Sequence, residues 1–239
     1  MVLPAASEQH DGVHGDLHDG YSADQIRAAE RPLLDAGVPL MDRAAAGLAE
    51  EVGRELAALG RRSGRVLVLA GSGSNGGDAL LAAAILLARG SAVVVARLGR
   101  RVHGRGLRAA ERAGARLLPL DASAGSIAAE AAAADIVLDG ILGTGARGGL
   151  RGPARHVVGR ILESGRATRI VAVDLPSGID PDDGAAYPPL LRADVTVTFG
   201  AVKAGLLAEG GRRAAGRIRL VDIGLGPALE GVKPLRRRT

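Results

Sequence analysis

From Arg65 onward, short apolar runs alternate along the chain with stretches in which apolar residues recur at helical spacing. The apolar runs predict strands at 66–70, 92–97, 116–119, 135–139, 169–174, 193–199 and 217–222. The periodic stretches predict helices near 79–89, 105–114, 123–134 and 153–164. Strands that alternate with helices are typical of right-handed βαβ units, so the sequence predicts an α/β fold with a mostly parallel sheet.

Two helices are predicted before the first strand. Ser22 and Gln25 have the spacing of a capping box, which starts a helix that we expect to end near Glu30, before Pro32. A second helix is predicted at about 39–59 and ends at a glycine. Residues 1–20 are polar and rich in glycine and histidine, without periodicity, and they predict a disordered tail.

Composition narrows the class of protein. The 239 residues suffice for one sizeable domain; 47% of them are apolar, whereas aromatic residues amount to 1%. This suits a parallel sheet covered by alanine-rich helices, and it disfavours a nucleic-acid binder that stacks bases on aromatic rings. The net charge of +5 comes from scattered arginines rather than from a basic stripe. We therefore predict no nucleic-acid partner.

The sequence lacks cysteine and long apolar segments, which excludes cysteine-based sites and a membrane location. The chain has no cysteine, which excludes disulfides, thiolate metal sites and cysteine nucleophiles. No segment is long and apolar enough to span a membrane, and no signal peptide opens the chain. The sequence therefore predicts a cytoplasmic protein with no membrane partner. His10, His14 and His18 are spaced by four, but the glycines between them disfavour a metal-binding helix face.

The first predicted strand runs directly into a glycine-rich turn. Gly71, Gly73 and Gly76 follow the G-x-G-x-x-G spacing, so a ligand can lie against bare backbone amides. The helix that follows adds unpaired N–H groups and a partial positive charge at its N-terminus. The turn is therefore a candidate anion site, most often one for phosphate, although the same glycines could serve only a tight turn.

Other polar residues gather where predicted strands end. Asp139 ends one strand and precedes the glycine-rich segment 143–149, and Asp174 ends the next strand and is followed by Ser177. Lys203, one of two lysines in the chain, follows a later strand. Because ligands bind beyond the carboxyl ends of parallel strands, these residues predict one shared crevice. Each aspartate could instead cap the backbone that follows it.

Two common nucleotide enzymes fit the sequence poorly. A dehydrogenase should carry an acidic residue at the end of its second strand, where this chain has Arg97 and Arg100. Arginine there could accept a 2′-phosphate, so an NADP-dependent oxidoreductase stays an alternative. No Gly-Lys-Ser/Thr follows the glycines, which excludes a P-loop, and there is no Gly-x-Ser-x-Gly nucleophile elbow. No motif surrounds His103 or His156, and neither is assigned a role.

Taken together, the three loops resemble the fingerprint of the NAD(P)H-hydrate epimerase family, the YjeF N-terminal domain. Residues 71–78 match G-x-G-N-N-G-G-D, residues 139–145 match D-x-x-x-G-T-G, and residues 174–180 match D-x-P-S-G-x-x. The resemblance covers about residues 21–225 and leaves a tail at 1–20 and a basic C-terminal tail at 226–239. It implies a three-layer α/β/α Rossmann-like sandwich that forms a homodimer.

The resemblance also implies an activity. Members of this family are isomerases that interconvert the R and S epimers of NADH or NADPH hydrated at the nicotinamide ring. A separate dehydratase accepts one epimer, so the two enzymes together repair the damaged nucleotide. No organic cofactor is implied, because the hydrated nucleotide is itself the substrate. A non-catalytic nucleotide-binding or scaffold module of the same fold is the alternative.

The resemblance assigns roles to individual residues. One potassium ion per subunit is implied, with Asn75, Asp139 and Ser177 as ligands. Asp174 is the predicted acid/base. Ser74 replaces the first asparagine of the family motif. The implied substrate contacts are Ser74, Asn75, Gly76, Gly77, Asp78, Gly143, Thr144, Gly145, Ala146, Arg147, Gly148, Gly149 and Asp174.

Overall fold

The apolar runs of the sequence form strands that are buried on both faces. In the computed structural model, residues 17–99, 101–145, 147–165 and 168–238 are described. Their strands are β1 (Asp19–Tyr21), β2 (Arg65–Ala70), β3 (Ala92–Arg97), β4 (Arg116–Leu117), β5 (Ile136–Gly140), β6 (Arg169–Val173), β7 (Val195–Phe199), β8 (Val202–Lys203), β9 (Arg217–Val221) and β10 (Arg236–Arg237). Seven of them form one sheet in the order β4-β3-β2-β5-β6-β7-β9. Every pairing in that sheet is parallel, which confirms the prediction.

The helices of the described residues cover both faces of this sheet. They are α1 (Ala23–Asp35), α2 (Leu40–Ala58), α3 (Ser74–Ala88), α4 (Gly104–Arg112), α5 (Ala124–Ala133), α6 (Gly152–Glu163), α7 (Ala204–Leu207), α8 (Glu209–Ala215) and α9 (Gly226–Leu229). None of them is both long and apolar enough to cross a bilayer.

Alternate residues of each central strand enter different apolar cores. Val66 and Val68 of β2 pack in a core with α1 to α4, whereas Leu67 and Leu69 pack in a second core with α5 and α6. Such two-sided burial explains why the strands read as continuous apolar runs rather than as alternating patterns. The three-layer α/β/α sandwich is therefore confirmed.

Helix α3 begins at Ser74, five residues before its predicted start at 79. Glycine disfavours helix by propensity, but close packing requires it here. A Cβ atom on Gly76 would lie 2.3 Å from the Gly71 carbonyl oxygen, and one on Gly77 would lie 2.8 Å from Cγ of His103. Asn75 and Asp78 consequently project from a helix and not from the preceding turn.

Helix α1 continues through Pro32 to Asp35, so its predicted end near Glu30 is wrong. A proline inside a helix removes one backbone hydrogen bond and crowds the preceding turn. Leu33, which follows the proline, packs against the first core, and this burial offsets part of that loss.

A second sheet of three short strands joins the two ends of the described chain, in the order β10-β1-β8. Gly20 pairs with Arg236 on one side and with Val202 on the other. Residues Asp19 and Gly20, predicted to lie in a disordered tail, are thus in a strand, and the basic C-terminal tail contributes its partner. Residues 1–16 of the predicted N-terminal tail lie outside the described residues.

The chain reverses direction across the sheet at its centre. From β2 it proceeds outward through β3 and β4, and it then returns to place β5 on the other side of β2. Ligands of open α/β sheets bind in the crevice at such a switch point. The backbone N–H of Gly71 donates to the Gly140 oxygen at 3.0 Å, which ties the two flanking loops together.

Candidate active site

A cavity of about 710 Å³ opens at the carboxyl edge of the sheet, beside the switch point. This volume is within the range of small-molecule sites. Its walls come from α1, the N-terminal parts of α3 and α6, and loops that follow several strands. The lining residues are Arg27, Glu30, Gly71, Ser72, Gly73, Ser74, Asn75, Asp78, Leu98, Gly99, Ile141, Leu142, Gly143, Thr144, Gly145, Arg147, Gly149, Leu150, Arg151, Ala154, Asp174, Phe199 and Lys203.

The glycine turn between β2 and α3 forms one wall and requires glycine for different reasons at different positions. A Cβ atom on Gly71 would lie 1.9 Å from the backbone oxygen of Ile141, which cannot move without distorting the loop after β5. Gly73 has open space around its Cα and a φ of −91°, which any residue adopts. Gly71 therefore allows the turn and the loop after β5 to pack closely, whereas the position of Gly73 has room for a side chain.

This difference predicts that two similar substitutions will have different effects on the free energy of unfolding. Gly71→Ala forces a backbone clash, and we expect it to lower the free energy of unfolding by about 1–3 kcal/mol. Gly73→Ala, its matched control, should change that free energy by no more than about 0.5 kcal/mol. Urea denaturation measures both values. Equal destabilisation of the two variants would contradict this account of the turn.

The three residues predicted to bind potassium lie together beneath this turn. The Asn75 side-chain amide donates to the Leu142 oxygen at 2.8 Å, and the Leu142 N–H donates to Ser177 Oγ at 2.8 Å. Ser177 in turn donates from its hydroxyl to Asp139 Oδ1 at 2.6 Å and from its backbone to Asp139 Oδ2 at 2.9 Å. Burial raises the pKa of the Asp139 carboxyl, and the hydrogen bonds from Ser177 oppose that rise.

Asp174 occupies an unusual backbone conformation at the end of β6. Its φ is +67°, and it is the only non-glycine residue of the described chain with a positive φ. Its backbone N–H donates to the Val197 oxygen at 2.7 Å, which holds this conformation against its steric cost. The turn aims the carboxyl group into the cavity, where Thr144 donates a hydrogen bond to Oδ2 and Thr198 donates one to Oδ1 at 3.2 Å.

Lys203 provides the counter-charge of Asp174. Its Nζ lies 2.5 Å from Asp174 Oδ1 and donates to the Phe199 oxygen at 2.8 Å, and only 2% of the residue is exposed. Lys203 thus lies in the predicted crevice, and it is buried rather than solvated. A buried ion pair with these additional hydrogen bonds fixes the position of both side chains.

Two further carboxyl groups face this ion pair. Asp78, from the second turn of α3, is 8% exposed, and Glu30, from α1, is partly buried. Burial raises the pKa of Asp78 to about 8, with further increases from Asp174 and Glu30 and an opposing effect of Lys203. Burial likewise raises the pKa of Glu30. The cavity therefore holds three carboxyl groups beside one lysine.

The structure brings most of the predicted substrate contacts to the cavity. Those that line it are Ser74, Asn75, Asp78, Gly143, Thr144, Gly145, Arg147, Gly149 and Asp174. Gly76, Gly77 and Gly148 do not line it. The first two lie within α3, packed against Gly71 and His103. Ala146 lies outside the described residues.

The arginine on which the oxidoreductase alternative depends is directed elsewhere. Arg97 donates to the Leu118 oxygen at 3.2 Å and does not line the cavity. Arg100 lies outside the described residues. In this geometry Arg97 gives no support to a 2′-phosphate site.

Several residues of the site carry no recognisable signal in the sequence. Arg27 and Glu30 reach the cavity from α1, and Arg151 reaches it from the start of α6. Their helices could be predicted, but the packing of α1 over the sheet edge could not. His103 has a structural role, since its Nδ1 accepts the Gly106 N–H at 3.2 Å and caps α4.

Comparison with known proteins shows which family this chain resembles. Residues 38–205 match the family described as YjeF-related protein N-terminus. The chain is 49% identical over 232 residues to an NAD(P)H-hydrate epimerase of Microbacterium testaceum, covering 96% of this chain and 88% of that protein. It is 45% identical over 215 residues to the bifunctional NAD(P)H-hydrate repair enzyme Nnr of Mycobacterium tuberculosis, covering 86% of this chain and 41% of that protein.

The fold has a solved counterpart as well. The crystal structure of the yeast protein ynu0, YNL200c, matches with a TM-score of 0.68 and 23% identity, over 78% of this chain and 82% of that chain. At this identity the match supports the fold alone. The family match over most of the chain, together with the identity to the Microbacterium protein, shows that the chain belongs to the YjeF-related N-terminal family.

Proposed function

We propose that this chain is an NAD(P)H-hydrate epimerase, which interconverts the R and S epimers of NADH or NADPH hydrated at the nicotinamide ring. The observation that carries the proposal is the placement of Asp174. Its carboxyl group projects into the cavity from a left-handed turn and is held by Lys203, Thr144 and Thr198. The relative with 49% identity bears the same enzyme name.

The two sides of the cavity suit two parts of such a dinucleotide, its central pyrophosphate and its hydrated ring. The turn before α3 offers backbone amides at the N-terminus of a 15-residue helix, and Arg147 and Arg151 add positive charge. Both features favour a pyrophosphate. On the other side, Lys203 is paired with Asp174, and Asp78 and Glu30 add no positive charge, so this side attracts a phosphate less and the uncharged hydrated ring belongs there.

Epimerisation requires a bond at the hydrated carbon to break and to form again. Loss and return of the hydroxyl group, or opening and closure of the ring, both move a proton, so both need a positioned acid/base. Asp174 is our candidate, because its carboxyl group lines the cavity and its orientation is fixed from three directions. A group held in this way reaches the reacting atoms without a further conformational search.

Potassium fits the residues beneath the turn. Asn75 Oδ1 is buried and has no hydrogen-bond partner among the described residues, whereas its amide nitrogen is engaged. Oxygen atoms of Asp139 and Ser177 lie in the same hydrogen-bonded group. A hard monovalent cation prefers such oxygen ligands. We propose that these three side chains hold one potassium ion per subunit, which would offset the Asp139 charge and fix the loops around it.

Potassium should therefore stabilise the protein measurably. At 100 times its dissociation constant, an ion that binds only the folded state adds about 2.7 kcal/mol to the free energy of unfolding. We expect a rise in the thermal midpoint on replacing tetramethylammonium chloride with potassium chloride at equal ionic strength. Asn75→Ala should abolish that rise. An identical response of the variant and the unchanged protein would contradict the proposed ligand set.

The direct test of the function starts from one pure epimer. The protein is incubated with the R epimer of hydrated NADPH, and the epimers are separated by chromatography over time. We expect the mixture to approach the equilibrium ratio at a rate proportional to protein concentration. An R epimer that remains pure would contradict the function, and nucleotide binding without turnover would favour the non-catalytic module.

Three broader proposals follow from the family resemblance. We propose that the chain forms a homodimer and acts in the cytoplasm. We also propose that its product is consumed by a hydrate dehydratase, and the bifunctional name of the Mycobacterium relative supports such a pairing. Sedimentation analysis checks the first of these proposals.

A further inference from the structure

Asp78 presents a buried carboxyl group to the cavity without a hydrogen-bond donor. The residue is 8% exposed and lines the cavity from α3. Within the described part of the chain, no hydrogen bond or ion pair reaches its oxygens. Its oxygens are open to the cavity rather than sealed in the protein, so a molecule bound in the cavity is the partner available to them.

The charges around Asp78 favour its protonated form. Lys203 lies 2.5 Å from Asp174 and is thereby committed to that carboxylate, while Arg27 pairs with Asp24. If Asp78, Asp174 and Glu30 were all ionised beside Lys203, these four side chains would carry a net charge of −2. A proton held on Asp78 lessens this repulsion.

Charged groups on the other helices packed against α3 are engaged elsewhere. Asp42 of α2 pairs with Arg105 of α4 at 2.8 Å, and Arg43 donates to the Ile223 oxygen at 2.8 Å. His103 caps α4. Burial is therefore the main cause of the raised pKa of Asp78, and the charged groups of the cavity modify it; at about 8, this pKa leaves the carboxyl group protonated at neutral pH.

We propose that Asp78 is a second catalytic residue, which delivers the proton that leaves with the hydroxyl group of the substrate. This inference rests on the proposed epimerase function. Asp78 has the burial, the free carboxyl oxygens and the cavity position that a proton donor needs. Asp174 is held in a fixed orientation, which suits the residue that accepts the proton.

The proposed step balances with water as the only other reactant. The Asp78 carboxyl protonates the hydroxyl group, the carbon–oxygen bond breaks, and water departs. The electron pair of the ring nitrogen forms a carbon–nitrogen double bond. Water then adds to the opposite face of that carbon, its proton passes to the Asp174 carboxylate, and the nitrogen regains its electron pair. The reverse reaction exchanges the two roles, and solvent restores the starting protonation.

Asp78→Asn tests the proposal because it keeps the shape of the side chain and removes the transferable proton. We expect the unchanged protein to lose kcat/KM as pH rises through about 8, where Asp78 loses its proton. In Asp78→Asn we expect a loss of about 10²-fold or more in kcat. No inflection near that pH should remain in the residual activity.

A second variant tests how a neighbouring charge affects the pKa of the Asp78 carboxyl group. Glu30→Gln removes a negative neighbour that raises the pKa of Asp78, so the alkaline inflection should move to lower pH. Asp42→Asn is the matched control, because it removes a carboxylate from α2 outside the cavity. The pH profile of this control should coincide with that of the unchanged protein.

Thermal melting of Asp78→Asn shows whether a loss of activity comes from lost catalysis or from unfolding. Because folding raises the pKa of Asp78 from 3.8 to about 8, its contribution is most favourable below pH 3.8 and is lost as pH rises to 8. Asp78→Asn should therefore melt no lower than the unchanged protein at pH 8. If the unchanged protein epimerises the substrate and Asp78→Asn retains its rate or its inflection, this inference is overturned. If the unchanged protein shows no epimerisation, the proposed function itself fails.

Discussion

Asp174→Asn should lower the rate of epimerisation by about 10²–10⁴-fold, the contribution usual for a general acid/base. Asparagine tolerates the left-handed conformation that this position adopts, with a φ of +67°, and it keeps the size of the side chain. Its one amide oxygen can accept a hydrogen bond from Thr144 or from Thr198 but not from both, and the amide cannot take a proton from water. We expect the loss in kcat, with little change in KM, when rates are measured by separating the epimers.

The control for this substitution is Asp35→Asn, which removes an exposed carboxylate at the end of α1. That variant should retain the rate of the unchanged protein. Because Asp174→Asn also removes the counter-charge of Lys203, both proteins are compared below their melting transitions. An Asp174→Asn protein that is folded and fully active would remove Asp174 from the mechanism.

Lys203→Ala should be the most destabilising of the substitutions considered. It removes a side chain that is 2% exposed and leaves the Asp174 carboxylate buried without its partner 2.5 Å away. Breaking one side of a buried ion pair costs about 3–5 kcal/mol. We expect a loss of that size in the free energy of unfolding, measured by urea denaturation.

The other lysine of the chain provides a matched control. Lys233 is exposed, and Lys233→Ala should change the free energy of unfolding by no more than about 0.5 kcal/mol. Combining Lys203→Ala with Asp174→Asn should cost less than the sum of the two single changes, because the second removes the stranded charge. Strict additivity would contradict a direct interaction between the two groups.

The sequence predicts the strands and crossover helices well because they depend on the local pattern of apolar and polar residues. Fully apolar runs such as 66–70 are buried on both faces of a parallel sheet, and their spacing leaves room only for crossover helices. The same logic brings Asp139, Asp174 and Lys203 to one sheet edge, because residues that follow parallel strands meet there.

Features set by packing between distant segments are not predictable in this way. The glycines at the start of α3 read as a turn, and only the approach of Gly71 and His103 shows why they are helical. Neither β1 nor its pairing with Val202 and Arg236 follows from a local pattern. Glu30 belongs to the cavity because α1 crosses the sheet edge, which depends on its tertiary position.

We propose that one cavity holds the nucleotide, with its hydrated ring at the carboxyl groups. A crystal structure of the protein with potassium and hydrated NADPH tests it most directly. We expect the pyrophosphate against the turn at 71–75 and the segment 143–149, with the hydroxyl group of the hydrated carbon within hydrogen-bonding distance of Asp174 or Asp78. A nucleotide bound elsewhere, or bound with its ring remote from both carboxyl groups, would contradict it.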